Sequence, residues 1–110
     1  MFERRRSQRI MLRIPGRIYG SRVDRTPLYE DVITDTVSAH GALLNVAEIY
    51  SMGMNLLFTN LVTEEEIAAR VVFVGDTKEG QKQIAIEFTQ DAPLFWRIHF
   101  PPPGEKPLKR

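Results

Sequence analysis

The sequence predicts an all-β domain: a six-stranded antiparallel barrel with a flexible arginine-rich arm before it and a short aromatic segment after it. Three observations carry that prediction. Six stretches rich in β-branched and apolar residues recur at spacings of about ten residues. Glycine, proline, asparagine and aspartate cluster between them as turn signals. The two stretches with any helical character cannot sustain a helix. Thr63 and Glu66 have capping-box spacing, but a β-branched run follows them, and the segment from Asp91 to Phe100 is too short to be helical alone.

Residues 1–9 lack any apolar period and read as an arm. From Leu12 the pattern alternates, with Leu12, Ile14 and Ile18 on one face and Arg13, Arg17 and Tyr19 on the other, a half-buried strand. Pro15-Gly16 within it signals a bulge or an edge position. Residues 20–30 read as a polar connection around Gly20, Asp24 and Pro27. Val32 to Val37 forms the second strand and ends at the turn Ser38-Ala39-His40-Gly41. Ala42 to Val46 returns as the third strand, Met54 to Phe58 follows the Gly53 turn as the fourth, and Ile67 to Val74 is the fifth. After the loop Gly75 to Gly80, Gln83 to Phe88 alternates again, with Ile84, Ile86 and Phe88 on one face. Phe95, Trp96 and Phe100 are placed to plug the barrel, and Pro101-Pro102-Pro103-Gly104 stops regular structure. The predicted organisation is an arm at 1–10, a barrel at 11–100 and a mobile proline-rich, basic tail at 101–110.

With 110 residues, 43% hydrophobic and 26% charged, the chain suffices for one domain with one core. The absence of cysteine removes disulfides, thiolate catalysis and cysteine-ligated metal. No apolar run reaches the roughly 20 residues that span a bilayer, so membrane insertion is not expected and the chain reads as soluble and cytosolic. The net charge of +1 conceals a strong polarity. Residues 1–25 carry eight arginines against two acids, whereas residues 26–104 carry four basic side chains against eleven acidic ones. That distribution points to a local anionic partner at the basic end. It argues against a nucleic-acid partner, because most of the barrel would repel a phosphate backbone.

Catalysis finds little support. His40 and His99 lack metal-ligand spacing, Ser38 and His40 have no nucleophile-elbow pattern around them, and Glu64-Glu65-Glu66 reads as a solvated turn. No glycine-rich nucleotide loop is present, and the chain is expected not to be an enzyme. The arm carries more chemistry. Arg5 and Arg9 stand four apart, flanked by Arg4 and Arg6, and guanidinium forks bind phosphate oxygens or the O6/N7 edge of guanine bidentately. The plain alternative is a solubilising basic tail. Ser38-Ala39-His40-Gly41 offers a hydroxyl and backbone N–H groups suited to an anion, or else is a bare turn with Gly41 kept for its permissive backbone.

Together these features resemble the PilZ family, the bacterial receptor domains for cyclic di-GMP. That family combines R-x-x-x-R in an N-terminal arm with [D/N]-x-S-x-x-G inside a six-stranded barrel. Arg5-Arg6-Ser7-Gln8-Arg9 matches the first motif and Ser38-Ala39-His40-Gly41 most of the second. Ala69 to Val72, Ile84 to Phe88 and Phe95 to Pro102 extend the likeness to roughly residues 3–102. The resemblance implies a PilZ-like barrel, cyclic di-GMP as ligand, and Arg5, Arg9, Ser38 and Gly41 as ligand contacts. Arg4 and Arg6 are additional phosphate candidates outside the motif. Thr36 stands where the family has Asp or Asn. The adjacent Asp35 would face away in a regular strand, and only a bulge could bring it round. The resemblance further implies a downstream protein partner. A second possibility is an adaptor that binds a protein without nucleotide, with Phe95, Trp96 and Phe100 as its contact patch.

Overall fold

Seven strands form in chain order: β1 (Ile10–Met11), β2 (Pro15–Ser21), β3 (Pro27–Ser38), β4 (Gly41–Val46), β5 (Asn55–Asn60), β6 (Glu66–Val74) and β7 (Lys82–Phe88). They belong to a computed structural model that describes residues 8–77 and 79–100. The arm residues 1–7, Lys78 and the tail 101–110 lie outside the described residues. Six strands pair antiparallel in the closed ring β2-β3-β4-β7-β6-β5, and β1 adds a short seventh strand beside β3. No helix occurs among the described residues, and none is long and apolar enough to cross a membrane. Alternation builds the core: Ile18, Leu28, Leu44, Phe58 and Ile84 are fully buried. Their strand neighbours face outward.

The predicted six-stranded barrel is therefore the observed one, with two local differences. Strand β3 begins at Pro27, five residues before the expected Val32. Its first half forms a hairpin with β2 across a turn at Arg22–Thr26, where the Asp24 carboxylate accepts from the Thr26 N–H at 3.0 Å. Glu30 hides this half-strand from a periodicity reading, because it puts a carboxylate in the inward phase between Leu28 and Val32. That carboxylate accepts from the Ala47 and Glu48 N–H groups at 2.6 and 3.2 Å and from the Tyr50 hydroxyl at 2.9 Å. It thereby organises the loop after β4. Burial, and then the Glu30 carboxylate, push the Tyr50 phenol above its ordinary pKa.

The second difference concerns Pro15-Gly16, which marks neither an edge nor a bulge. Strand β2 is paired on both sides, to β3 and β5. Pro15 is tolerated as its first residue, and Gly16 leaves room for the Phe58 ring: a Cβ there would lie 2.2 Å from Phe58 Cζ. The actual interruption lies just upstream, between β1 and β2. There the fully buried Thr34 accepts from the Ile14 N–H at 2.8 Å through its hydroxyl, which also donates to the Leu12 carbonyl. Thr34→Val keeps the shape and strands both backbone groups. Each buried unsatisfied group costs about 1–3 kcal/mol, so urea unfolding should show a loss of roughly 2–4 kcal/mol. A loss below about 0.5 kcal/mol would mean that water replaces the hydroxyl.

The chain after β7 makes one tight turn, with Phe95 N–H on the Ala92 carbonyl at 3.0 Å and Arg97 N–H on Leu94 at 2.9 Å. Phe95 and Trp96 are 6% and 3% exposed and pack with Phe58 and Phe88 at ring separations of 5.0–6.2 Å. Phe100 is partly buried against the same core. These aromatics close the barrel. Phe95 and Trp96 are therefore not part of an exposed contact patch of the kind expected in the adaptor reading, because both are buried in the core, while Phe100 is partly buried beside them.

Candidate functional site

The strand registers lay out the outer face of β1-β3-β4-β7-β6 as rows of side chains. One row runs Met11, Thr36, Leu43, Ala85, Phe73. It is an apolar strip with Thr36 in it, bounded by exposed Met11 and a Phe73 ring that is 51% exposed. Phe73 reaches this face because the β6–β7 register shifts between Val71 and Phe73. The neighbouring row is polar: Ser38 pairs with Gly41, Gly41 with Glu87 and Glu87 with Arg70. An Arg70–Glu87 ion pair of 3.6 Å crosses it. Ile10 pairs with Val37, the chain neighbour of Ser38, and Arg9 immediately precedes Ile10. Arg9 is exposed there. Arg4, Arg5 and Arg6 precede it outside the described residues.

The β3–β4 register shifts between Thr34 and Thr36, leaving Asp35 as the extra residue of a bulge. Inward burial accordingly passes from Thr34 to Val37, and Asp35 and Thr36 fall together on the outer side with Ser38. The Asp35 carboxylate accepts from the Gln83 side-chain amide at 3.1 Å, and the same amide nitrogen reaches Asn45 Oδ1 at 3.2 Å. The regular-strand expectation, which turned Asp35 away, is corrected: the bulge supplies the half-turn needed. Asn45 and Gln83 also line a shallow groove of about 610 Å³ with Phe73, Asp76 and Lys82. Neither amide was singled out by the sequence, although each is a polar residue at an outward position of a strand with apolar inner neighbours.

The Ser38–Gly41 turn is rigidly built. The Ser38 hydroxyl accepts from the His40 N–H at 3.2 Å, and the Ser38 carbonyl accepts from the Trp96 indole at 2.9 Å. The His40 carbonyl accepts from the Phe88 N–H at 2.8 Å. Gly41 does not have the left-handed backbone that would require glycine; only Gly53 and Gly80 do among the described glycines. Its role is close approach, since a Cβ would lie 2.0 Å from the Ile86 carbonyl oxygen. The structure thus gathers Arg9, Asp35, Thr36, Ser38 and Gly41 on or beside one face. A guanidinium, a carboxylate, two hydroxyls and an apolar strip can together contact phosphate, a base edge and a base plane.

The β2–β3 hairpin, at the other end of β3, carries a different arrangement. Arg17 binds Asp31 through two contacts of 2.6 and 3.3 Å and sits 5.5 Å over the Tyr29 ring. The hydrogen bond from Arg17 holds the Asp31 carboxyl below its ordinary pKa. These groups satisfy one another and none faces the Ser38 turn.

No family model and no curated protein matches the chain. Among solved structures it is similar to the inhibitor of motility MotI/DgrA of Bacillus subtilis, with a TM-score of 0.65 and 19% sequence identity. The match covers 83% of this chain but 45% of that one, so this chain spans less than half the length of the motility inhibitor. What the two share at that identity is the fold.

Proposed function

We propose that the chain is a PilZ-type receptor for cyclic di-GMP, a cytosolic binding domain rather than an enzyme. The observation that carries this reading is the shared outer face of β1 and β3: Ile10 pairs with Val37 next to Ser38, Arg9 directly precedes Ile10, and the β3 bulge turns Asp35 to the side of Thr36 and Ser38. Arginine clamps phosphates and guanine edges, and the carboxylate accepts from a guanine N–H edge. The strip from Leu43 to Phe73 offers a base a flat apolar seat. The likeness in fold to a protein named an inhibitor of motility supports a signalling role, in which the ligand-ordered arm presents a new surface to a protein partner. Isothermal titration with cyclic di-GMP tests the proposal, and no heat at about 50 μM protein would rule out a physiologically useful site.

Asp35, rather than Thr36, carries the base-reading role. Asp35→Ala should weaken binding by about 5- to 150-fold, the worth of one bidentate base contact at roughly 1–3 kcal/mol. Thr36→Ala should change it by less than about threefold, and Thr36→Asn, which adds an amide on the same face, should strengthen it. Equal losses from Asp35→Ala and Thr36→Ala in the same titration would assign the contact to neither residue.

A further inference from the structure

Trp96 is the one tryptophan of the chain, and it belongs to the aromatic plug rather than to the outer face. One property sets it apart from Phe95 beside it, which packs against the same phenylalanine rings. Its indole N–H donates to the main-chain carbonyl of Ser38 at 2.9 Å, across 58 positions of sequence. Its ring is held on three sides, by Phe58 at 5.7 Å, Phe88 at 6.0 Å and Phe95 at 5.0 Å. The turn bearing it is tied to the rest of the barrel by an Arg97–Glu65 ion pair of 3.0 Å. The Ser38 turn meets the barrel through backbone contacts at Gly41 and His40, and the Trp96 indole adds a side-chain donor from the core side.

We infer that Trp96 is a positioning residue for the candidate site: its indole hydrogen bond holds the Ser38 turn at the end of β3, and ligand occupancy of that turn is felt at the indole. The inference rests on the cyclic di-GMP reading and adds to it a residue that no ligand need touch. The Ser38 carbonyl belongs to the Ser38–Ala39 peptide and the His40 N–H to the next one, so the indole bond and the Ser38 hydroxyl bond fix two successive peptide planes of the turn. With both bonds in place the turn is set before ligand arrives, which lowers the cost of ordering it on binding.

Trp96→Phe removes the donor and keeps a ring in the plug. Its cyclic di-GMP affinity should fall by about tenfold, the net worth of one hydrogen bond to a preformed site. Hydrogen exchange should quicken at the His40 and Phe88 amides, while the β2 and β5 amides keep their protection. In the wild-type chain the single indole N–H cross-peak in a ¹H–¹⁵N spectrum should shift as cyclic di-GMP saturates the protein. That measurement decides the matter even if the variant does not fold. Wild-type affinity in a folded Trp96→Phe, or an indole signal unmoved at saturation, overturns the role of Trp96 and leaves the ligand reading standing. Absence of heat with the wild-type chain overturns the ligand reading itself, and the inference with it.

Discussion

Gly41→Ala should weaken closure of the barrel more than Gly53→Ala does. An added Cβ would meet three backbone atoms, Ile86 O at 2.0 Å, Ile86 C at 3.0 Å and Glu87 Cα at 3.2 Å. Backbone cannot swing aside as a flexible side chain can, so β4 and β7 would have to part along one of the six seams of the ring. Overpacking of a tight site costs about 1–3 kcal/mol and more where backbone must move, against a total stability of roughly 5–15 kcal/mol. A loss of about 3 kcal/mol or more is expected, read as a fall in the urea midpoint of Trp96 fluorescence. Gly53→Ala is the informative comparison. Gly53 has φ +83° and nothing within 4 Å of its Cβ position, so only backbone strain of about 1 kcal/mol applies. Should Gly41→Ala prove no worse than Gly53→Ala, the close approach of β4 to β7 would not exist in solution.

That contrast bears on what the S-x-x-G spacing means. As sequence, Ser38 and Gly41 are one motif; in the fold they do separate work, the serine on the outer side and the glycine in a backbone contact. The strands themselves were legible because inner positions such as Ile84, Ile86 and Phe88 alternate with outer ones, and period two survives in a barrel. Legibility failed where a side chain serves the backbone instead of the core. Glu30 sits in the inward phase to hold a loop, so the first half of β3 looked like a connection. Thr34 is buried to bridge Leu12 and Ile14, and the bulge beside it shifts the register so that Asp35 changes face. Neither effect leaves a periodic trace, because each depends on strands far apart in sequence. The arm shows the reverse. Its arginine spacing is plain in the sequence, whereas the place to which it leads becomes visible only through the pairing of Ile10 with Val37.

Arg9→Ala should abolish the calorimetric signal with cyclic di-GMP while leaving the unfolding midpoint unchanged. Arg9 is exposed and lies just before β1, so its loss removes no core contact. On the ligand side its loss is large. A charge-assisted hydrogen bond is worth about 1.5–3 kcal/mol, or roughly 10- to 150-fold in affinity. A micromolar site would weaken to tens or hundreds of micromolar, which gives no usable heat at ordinary protein concentrations. Arg5→Ala should behave likewise if the R-x-x-x-R spacing is what matters; Arg5 itself lies outside the described residues. Arg9→Lys separates charge from geometry, since it keeps the cation and loses the planar fork, and weak binding should persist. Arg17→Ala supplies the control for nonspecific charge. It removes one positive charge as Arg9→Ala does, but from the β2–β3 hairpin at the other end of β3, where Arg17 is committed to Asp31 and Tyr29. If ligand binding were only attraction to a basic protein, the two alanine variants would lose affinity alike and both losses would vanish in high salt. A loss confined to Arg9, persisting at raised ionic strength, is what a directed guanidinium contact beside Ser38 requires.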